Sequence, residues 1–523
     1  MSGNHEIIID CDKNGEPLNA YWRVCVGGGR VAEALRADFQ KHLELVQREM
    51  PFNYIRMHGL FHEDMMVYRE ENGQPIVNWQ YVDLVYDHWL AIGIRPFVEL
   101  GFMPYDLASG EETVFWWKGN ITPPKDWERW NWFIEQYIRH IIERYGLAEV
   151  RRWYFEVWNE PSLNFFWKDA DFAAYMQLYE HTTRTIKNID SELRVGGPSS
   201  HGFGEHVGEP PWGKEFLAAC AERNLPLDFF STHPYPTLYP VDLEGRGYMT
   251  WDGPDRLLAD ARGCDQLLQA SAYPHVERHY TEWSSSPSPR DPVHDTAFMA
   301  AFIVDNNLRV QGLMDSLSFW VVSDIFEEGR QGDTPFHGGF GLVNVQGLKK
   351  ASYHGYWFLS QLGNETLAEG DGYVTTRRPD GTIAILLWNY CHYRDDANDS
   401  RLLASAKPHE IYDLFAIQPQ REYQLNMDGV GASVRLQITR FDRQHGSVYD
   451  AWATMGAPQH ILPADLEVLR RRMELDVTVE RISTPAGRLE WATSVSPFGV
   501  TLVEISTADA KNLPKNTLAK EST

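Results

Sequence analysis

Cysteine is scarce and unpatterned: Cys11, Cys25, Cys220, Cys264 and Cys391 are odd in number, widely scattered and without metal-ligand spacing. A disulfide framework and a cysteine-based metal knuckle are both excluded, and the five are expected to be reduced thiols. No apolar run approaches the ~20 residues of a membrane span. The N-terminus, Met1-Ser2-Gly3-Asn4-His5-Glu6, lacks the basic segment and apolar core of a secretory signal. The expectation is a soluble cytoplasmic chain with no membrane partner. Positive charge is short too: 48 Lys+Arg stand against 73 Asp+Glu, a net −25. That balance disfavours nucleic acid and anionic lipid as partners but suits a neutral substrate. Nucleotide-binding patterns are missing as well, since Gly27-Gly28-Gly29-Arg30 has neither the Gly-x-Gly-x-x-Gly spacing nor a P-loop Lys-Ser/Thr. No cofactor is expected.

Aromatic residues, by contrast, are abundant, at 13% with 19 Trp. The most informative stretch is Arg152-Trp153-Tyr154-Phe155-Glu156-Val157-Trp158-Asn159-Glu160-Pro161, an apolar run of strand character closed by Asn-Glu-Pro. It places a carboxylate at the tip of a strand in aromatic surroundings, where a raised pKa is expected. Seven further strand-like segments are predicted at 21–26, 52–57, 94–100, 194–198, 227–232, 275–281 and 317–322, with helical periodicity between them. Alternation of this kind predicts an α/β fold, a (β/α)8 TIM barrel. Beyond Gly363 the helical pattern gives way to short strands at 382–388, 433–438, 477–482 and 500–505. These predict an accessory antiparallel β-sandwich. The expected division is 17–356 for the barrel, 1–16 with 357–507 for the sandwich, and a disordered tail at 508–523.

In such a barrel the C-terminal strand tips converge on one face, where catalysis sits. The tips carry His58, Asn159, Glu160, His233, Tyr235, Glu282 and Trp320. Glu160 and Glu282 belong to the fourth and seventh strands, so they are expected to face each other across the mouth. Two carboxyls facing across a cleft are what glycoside hydrolysis requires. Glu160 is expected to be the acid/base and Glu282 the ionised partner, with the Tyr235 hydroxyl donating to it. Asn159 is placed to bond a sugar 2-OH, Trp320 to offer a flat face, and His58, His233, Glu327 and Glu328 to hold hydroxyls. The strand tips show no Lys or Arg for a uronic acid carboxylate, which favours a neutral sugar. His58 and His62 have helical metal-ligand spacing, but no third ligand or zinc-protease glutamate follows, so no metal is expected.

On these residues the chain resembles glycoside hydrolase family 39, its bacterial β-xylosidases in particular. The motifs are Arg56-Met57-His58-Gly59, Glu156-Val157-Trp158-Asn159-Glu160-Pro161, His233-Pro234-Tyr235, Thr281-Glu282-Trp283 and Pro289-Arg290-Asp291-Pro292-Val293-His294-Asp295-Thr296, followed by the sandwich. The resemblance implies double displacement, with Glu282 as nucleophile, Glu160 as acid/base, and sugar contacts from His58, Asn159, Phe166, His233, Tyr235, Trp320, Glu327 and Glu328. Ser284-Ser285-Ser286 departs from the family, whose members commonly carry Asn there. The expected activity is an exo-β-1,4-xylosidase that releases xylose from short xylo-oligosaccharides, with a homo-oligomer possible. The alternatives are α-L-iduronidase, α-L-arabinosidase, β-glucosidase or a non-catalytic carbohydrate-binding barrel.

Overall fold

The computed structural model describes residues 5–204, 211–326, 328–403 and 405–507. Numbering only the barrel strands, β1 is Cys25–Arg30, β2 Tyr54–His58, β3 Arg95–Glu99, β4 Tyr154–Glu156, β5 Arg194–His201, β6 Phe229–His233, β7 Glu277–Trp283 and β8 Ser316–Phe319. All eight close into one parallel barrel. One long helix follows each strand: α1 Ala37–Glu49, α2 Gln80–Ala91, α3 Trp127–Tyr145, α4 Phe172–Ile189, α5 Trp212–Glu222, α6 Arg256–Gln269, α7 Phe298–Arg309 and α8 Ala351–Ser360. Helix α3 shows why the boundaries fall where they do. Asp126 caps its N-terminus by accepting from the Arg129 N–H at 3.0 Å, and Gly146, at φ 85°, ends it. Between these stops Trp130, Phe133, Ile134, Tyr137, Ile138 and Ile141 form the buried stripe.

Two strands differ from expectation in a way that shapes the barrel mouth. The first was expected at 21–26, but Tyr21–Arg23 is a 3-10 turn and β1 runs through the three glycines. The reason is close approach: a Cβ on Gly27 would overlap the Trp320 ring. The glycine run therefore makes room for an aromatic at the mouth rather than marking a turn. Strand β4, expected over 153–158, stops at Glu156. Beyond it Trp158 and Glu160 adopt positive φ, 73° and 42°, a region unfavourable for both side chains. Glu160 does so although a following proline ordinarily favours extended backbone. Backbone strain of this kind concentrates at functional sites, and here the Glu160 N–H is anchored on the Ser199 carbonyl at 2.9 Å.

The accessory part has two sheets. A seven-stranded sheet contains the expected Ile383–Trp388, Ser433–Phe441, Asp476–Ser483 and Val500–Thr507, together with Glu365–Gly370 and Tyr373–Arg377, which the sequence pattern did not reveal. The facing sheet pairs Arg421–Asp428 with Arg488–Val495 and with the N-terminal His5–Asp10, which joins it in parallel. Alternate residues such as Ile7, Ile9, Ile385, Leu387, Leu425, Met427, Leu436 and Val503 fill the space between the sheets. Residues 508–523, expected to form a disordered tail, lie outside the described residues. The expected boundary at 356/357 falls inside helix α8. All five cysteines are unpaired thiols. Among the described residues no helix is long and apolar enough to cross a membrane.

One contact between the two parts reaches the barrel rim. After β6 the short strand Thr237–Leu238 pairs antiparallel with Thr250–Trp251. Accessory-side residues hold this excursion in place. The Trp251 N–H donates to Asn398 at 2.6 Å, the Met249 N–H donates to Ser400 Oγ at 3.0 Å, and the Trp251 ring stacks on Tyr393 with centroids 4.4 Å apart.

Candidate active site

Side chains alternate along a strand, so Arg56 and His58 on β2 both point into the barrel. Arg56 is wholly buried and all of its guanidinium faces acceptors. Nε donates to Glu156 at 2.5 Å and Nη1 to Glu282 Oε1 at 2.8 Å. Nη2 meets Asn159 Oδ1 at 2.9 Å, Ser199 Oγ at 3.1 Å and Glu99 at 3.0 Å. One rigid fork thus ties together residues from five strands or their tips, a geometry only arginine provides. Burial opposes its charge, but Glu156, Glu99 and Glu282 outweigh that and hold its pKa above the ordinary value.

Above this layer sit the two carboxyls singled out from sequence. Glu160, Glu282 and His233 each present an atom within 4.8 Å of the others. Tyr235 donates to Glu282 Oε2 at 3.1 Å. His58 lies against Glu99 through Nδ1 at 2.5 Å, and its Nε2 lies 3.4 Å from Glu282 and 3.3 Å from Glu328. Burial disfavours a cation there, yet the surrounding carboxylates, Glu99 foremost, raise His58 to about 10. Burial in turn pushes Glu328 up to about 7, with its bond to His58 only partly opposing.

Glu160 departs from the expected raised pKa. Burial does push it up, but hydrogen bonds from His201 and His233 prevail and hold its carboxyl well below the usual range. The relevant approaches are 3.0 Å for His233 Nδ1 and 3.5 Å for His201 Nδ1. The other His233 nitrogen faces Ser199 Oγ at 3.2 Å and Thr281 Oγ1 at 3.0 Å.

The remaining residues named from sequence divide clearly. Trp320 packs its ring 4.7 Å from that of His58 and lines the cavity. Phe166 also lines it, and its carbonyl accepts from Trp158 Nε1 at 2.8 Å. Asn159 is buried beneath the cavity, its oxygen taken by Arg56 while its amide nitrogen has no protein partner. Glu327 lies outside the described residues. Ser284, Ser285 and Ser286 are all buried, and Ser286 donates to Asp291 at 2.6 Å.

The expectation that no cation stands near the strand tips needs correction, because Arg56 lies directly beneath the carboxyl pair. Arg56, Glu156 and Thr281 stood out only as members of motifs, and Glu99, Ser199 and His201 did not stand out at all. The signal was the period of two: Arg56 shares a strand face with His58, and Glu156 shares one with Tyr154. Three residues, Glu160, His233 and Glu282, have ligand atoms close enough to gather around a metal ion, but they are also the carboxyl pair and its histidine, and cleavage by two carboxyls needs no metal.

These groups line a cavity of about 720 Å³ that also includes Phe115, Leu163, Phe165, Phe203, Leu238, Tyr239, Arg256, Asp260 and Phe340. Its size is that of a small-molecule pocket.

Comparison with known proteins agrees with this geometry. The chain is 38% identical to a β-xylosidase of Geobacillus stearothermophilus over 506 residues, 95% of each chain. A solved enzyme of the same family from Xanthomonas axonopodis pv. citri superposes with a TM-score of 0.88 at 34% identity, covering 97% of this chain and 98% of that one. A monomeric β-xylosidase from Caulobacter crescentus CB15 gives 0.88 at 32% identity, covering 96% of this chain and 100% of the other. The sequence pattern of Glycosyl hydrolases family 39 matches residues 5–490, and with that span, this fold and these barrel-mouth carboxyls, the chain belongs to that family of glycosidases.

Proposed function

We propose that the protein is a retaining exo-β-1,4-xylosidase that releases xylose from the non-reducing end of short xylo-oligosaccharides. The observation that carries this reading is the carboxyl pair: oxygens of Glu160 and Glu282 lie within 4.8 Å of each other. Retaining enzymes need ~5 Å, whereas inverting ones leave room for a water at ~6.5–9.5 Å. Glu282 attacks the anomeric carbon, aimed by the hydrogen bonds it accepts from Arg56 and Tyr235. Glu160 protonates the leaving oxygen and then activates water for the second displacement.

The depressed pKa of Glu160 gives this step a specific form. At rest the carboxylate lies against His201 Nδ1 at 3.5 Å and His233 Nδ1 at 3.0 Å. A bound sugar excludes water and adds to the burial that opposes charge on Glu160. Seating of substrate thus favours the protonated carboxyl that the first displacement requires. Trp320, His58 and Glu328 line the cavity beside Glu282, with His58 Nε2 3.4 Å from Glu282 and 3.3 Å from Glu328, and a single terminal sugar held against them accords with exo action. A neutral sugar is supported because the cationic side chains at the cavity are already engaged: Arg56 with Glu156, Glu282, Asn159 and Ser199, His58 with Glu99 and Glu328, and Arg256 with Asp260 and Asp252.

The test is a panel of aryl β-xyloside, β-glucoside, α-L-arabinoside and α-L-iduronide, with the first-formed anomer read by NMR. The β-xyloside is expected to be fastest and to release β-xylose. Release of α-xylose, or faster cleavage of the iduronide, overturns the reading. For the acid/base role, Glu160→Ala is expected to cost about 10²–10⁴-fold in kcat/KM on xylobiose, and far less on a dinitrophenyl xyloside, whose leaving group needs no proton. Equal losses on the two substrates would remove Glu160 from that role.

A further inference from the structure

The cavity has two chemically different sides. An acid that protonates the leaving oxygen must stand on the leaving-group side of the bond, so the aglycone lies toward Glu160. That side is built by the segments after β4, β5 and β6, and they present Leu163, Phe165, Phe203, Pro234, Leu238 and Tyr239 to the cavity. Three of these are exposed although large and apolar or aromatic: Phe165 at 52%, Leu238 at 40% and Tyr239 at 55%. Clustered exposure of this kind at a cavity mouth marks a ligand surface.

A second xylose would ask for something else. A sugar ring is recognised by a flat aromatic face together with converging donors and acceptors. Phe165, Phe203 and Tyr239 offer flat faces, but Leu163, Phe165, Phe203, Pro234 and Leu238 offer no side-chain hydrogen bond. Among the described residues, the polar groups on this side already have protein partners. Arg256 grips Asp260 at 2.9 Å, Thr237 donates to the Tyr239 hydroxyl at 3.4 Å, and His201 faces Glu160.

We propose that the outer half of the cavity is an aglycone site that also takes an apolar alcohol or phenol, an alkyl or aromatic group joined to the sugar in place of the second xylose. This rests on the glycosidase reading above and adds its leaving-group class. The rim excursion 237–251 carries part of this surface, and the accessory part holds that excursion in place.

The test uses methyl, butyl and hexyl β-D-xylosides, whose leaving alcohols have nearly equal acidity, so a rate difference reports binding rather than chemistry. The kcat/KM of the hexyl xyloside is expected to exceed that of the methyl xyloside by at least about tenfold, a fraction of what full burial of five methylenes would give. In a Phe165→Ser/Leu238→Ser double variant the hexyl-to-methyl ratio should fall to about one. Both positions are exposed, so the fold should tolerate the change, and Tyr239→Ser provides an independent variant. Free 2-naphthol, titrated by calorimetry, should bind the wild type and not the double variant. A flat alkyl series on a monomeric protein overturns the proposal, as does absence of 2-naphthol binding. A flat series in which the double variant instead lowers the molar mass in solution assigns the surface to a second copy of the chain. If no xyloside is turned over while 2-naphthol still binds, the xylosidase reading fails and the apolar site stands.

Discussion

Glu282→Gln is expected to lower kcat on an aryl β-xyloside by about 10⁴-fold or more, because it removes the atom that forms the covalent intermediate. The substitution is nearly isosteric. Its carbonyl oxygen can still accept from Arg56 Nη1, now at 2.8 Å, so the fold and the sugar contacts should survive. What disappears is the negative charge opposite the anomeric carbon and the lone pair that attacks it. The loss should therefore appear in kcat, with KM little changed. A 2-deoxy-2-fluoro-β-xyloside supplies a second readout: intact mass spectrometry should find one fluoroxylosyl adduct on the wild type, on Glu282, and none on the variant. Wild-type turnover by the variant, or an adduct on another residue, would place the nucleophile elsewhere.

Arg56→Met should produce the largest loss of stability from a single change at the site. The guanidinium is buried with no solvent contact and bonds Glu156, Glu282, Asn159, Ser199 and Glu99. Removing it leaves three carboxylates clustered in the barrel without their counter-ion, a cost of about 3–5 kcal/mol for breaking a buried pair. Calorimetric unfolding should show a clear drop, and poor soluble yield would point the same way. Arg56→Lys separates charge from geometry. It keeps the cation but cannot reach Glu156, Glu282 and Asn159 together, so the protein should fold while kcat falls by about 10²–10³-fold. A lysine variant with full activity would show that the fork merely neutralises charge and does not orient the nucleophile.

The barrel was legible because its strands are short apolar runs separated by helices with clear stops, as at Asp126 and Gly146 around α3. The two strand-tip glutamates were legible because each follows a buried run and precedes a break. What escaped notice was the layer beneath them. Arg56, Glu99 and Glu156 lie inside strands, where a charged residue is ordinarily assigned to a solvent face, and only their mutual pairing across the barrel makes them a unit. That pairing joins residues 43 to 226 positions apart, beyond the reach of local periodicity. The ionisation of Glu160 was misread for a related reason. Its aromatic neighbours in sequence suggested an apolar pocket, whereas His201 and His233 reach it from β5 and β6. The strands at 365–370 and 373–377 were missed because Glu365–Gly370 has no fully buried residue to set an alternation.

The clasp formed by Asn398, Ser400 and Tyr393 on the excursion after β6 bears on how this architecture can diversify. A gene rearrangement that exchanged the C-terminal module for that of a cousin would leave the reacting pair intact but unfasten the doorway beside it. Such hybrids should still cut sugars yet choose different partners for them, so the trailing module is inherited as part of the enzyme's taste in substrates and not only as ballast for its fold.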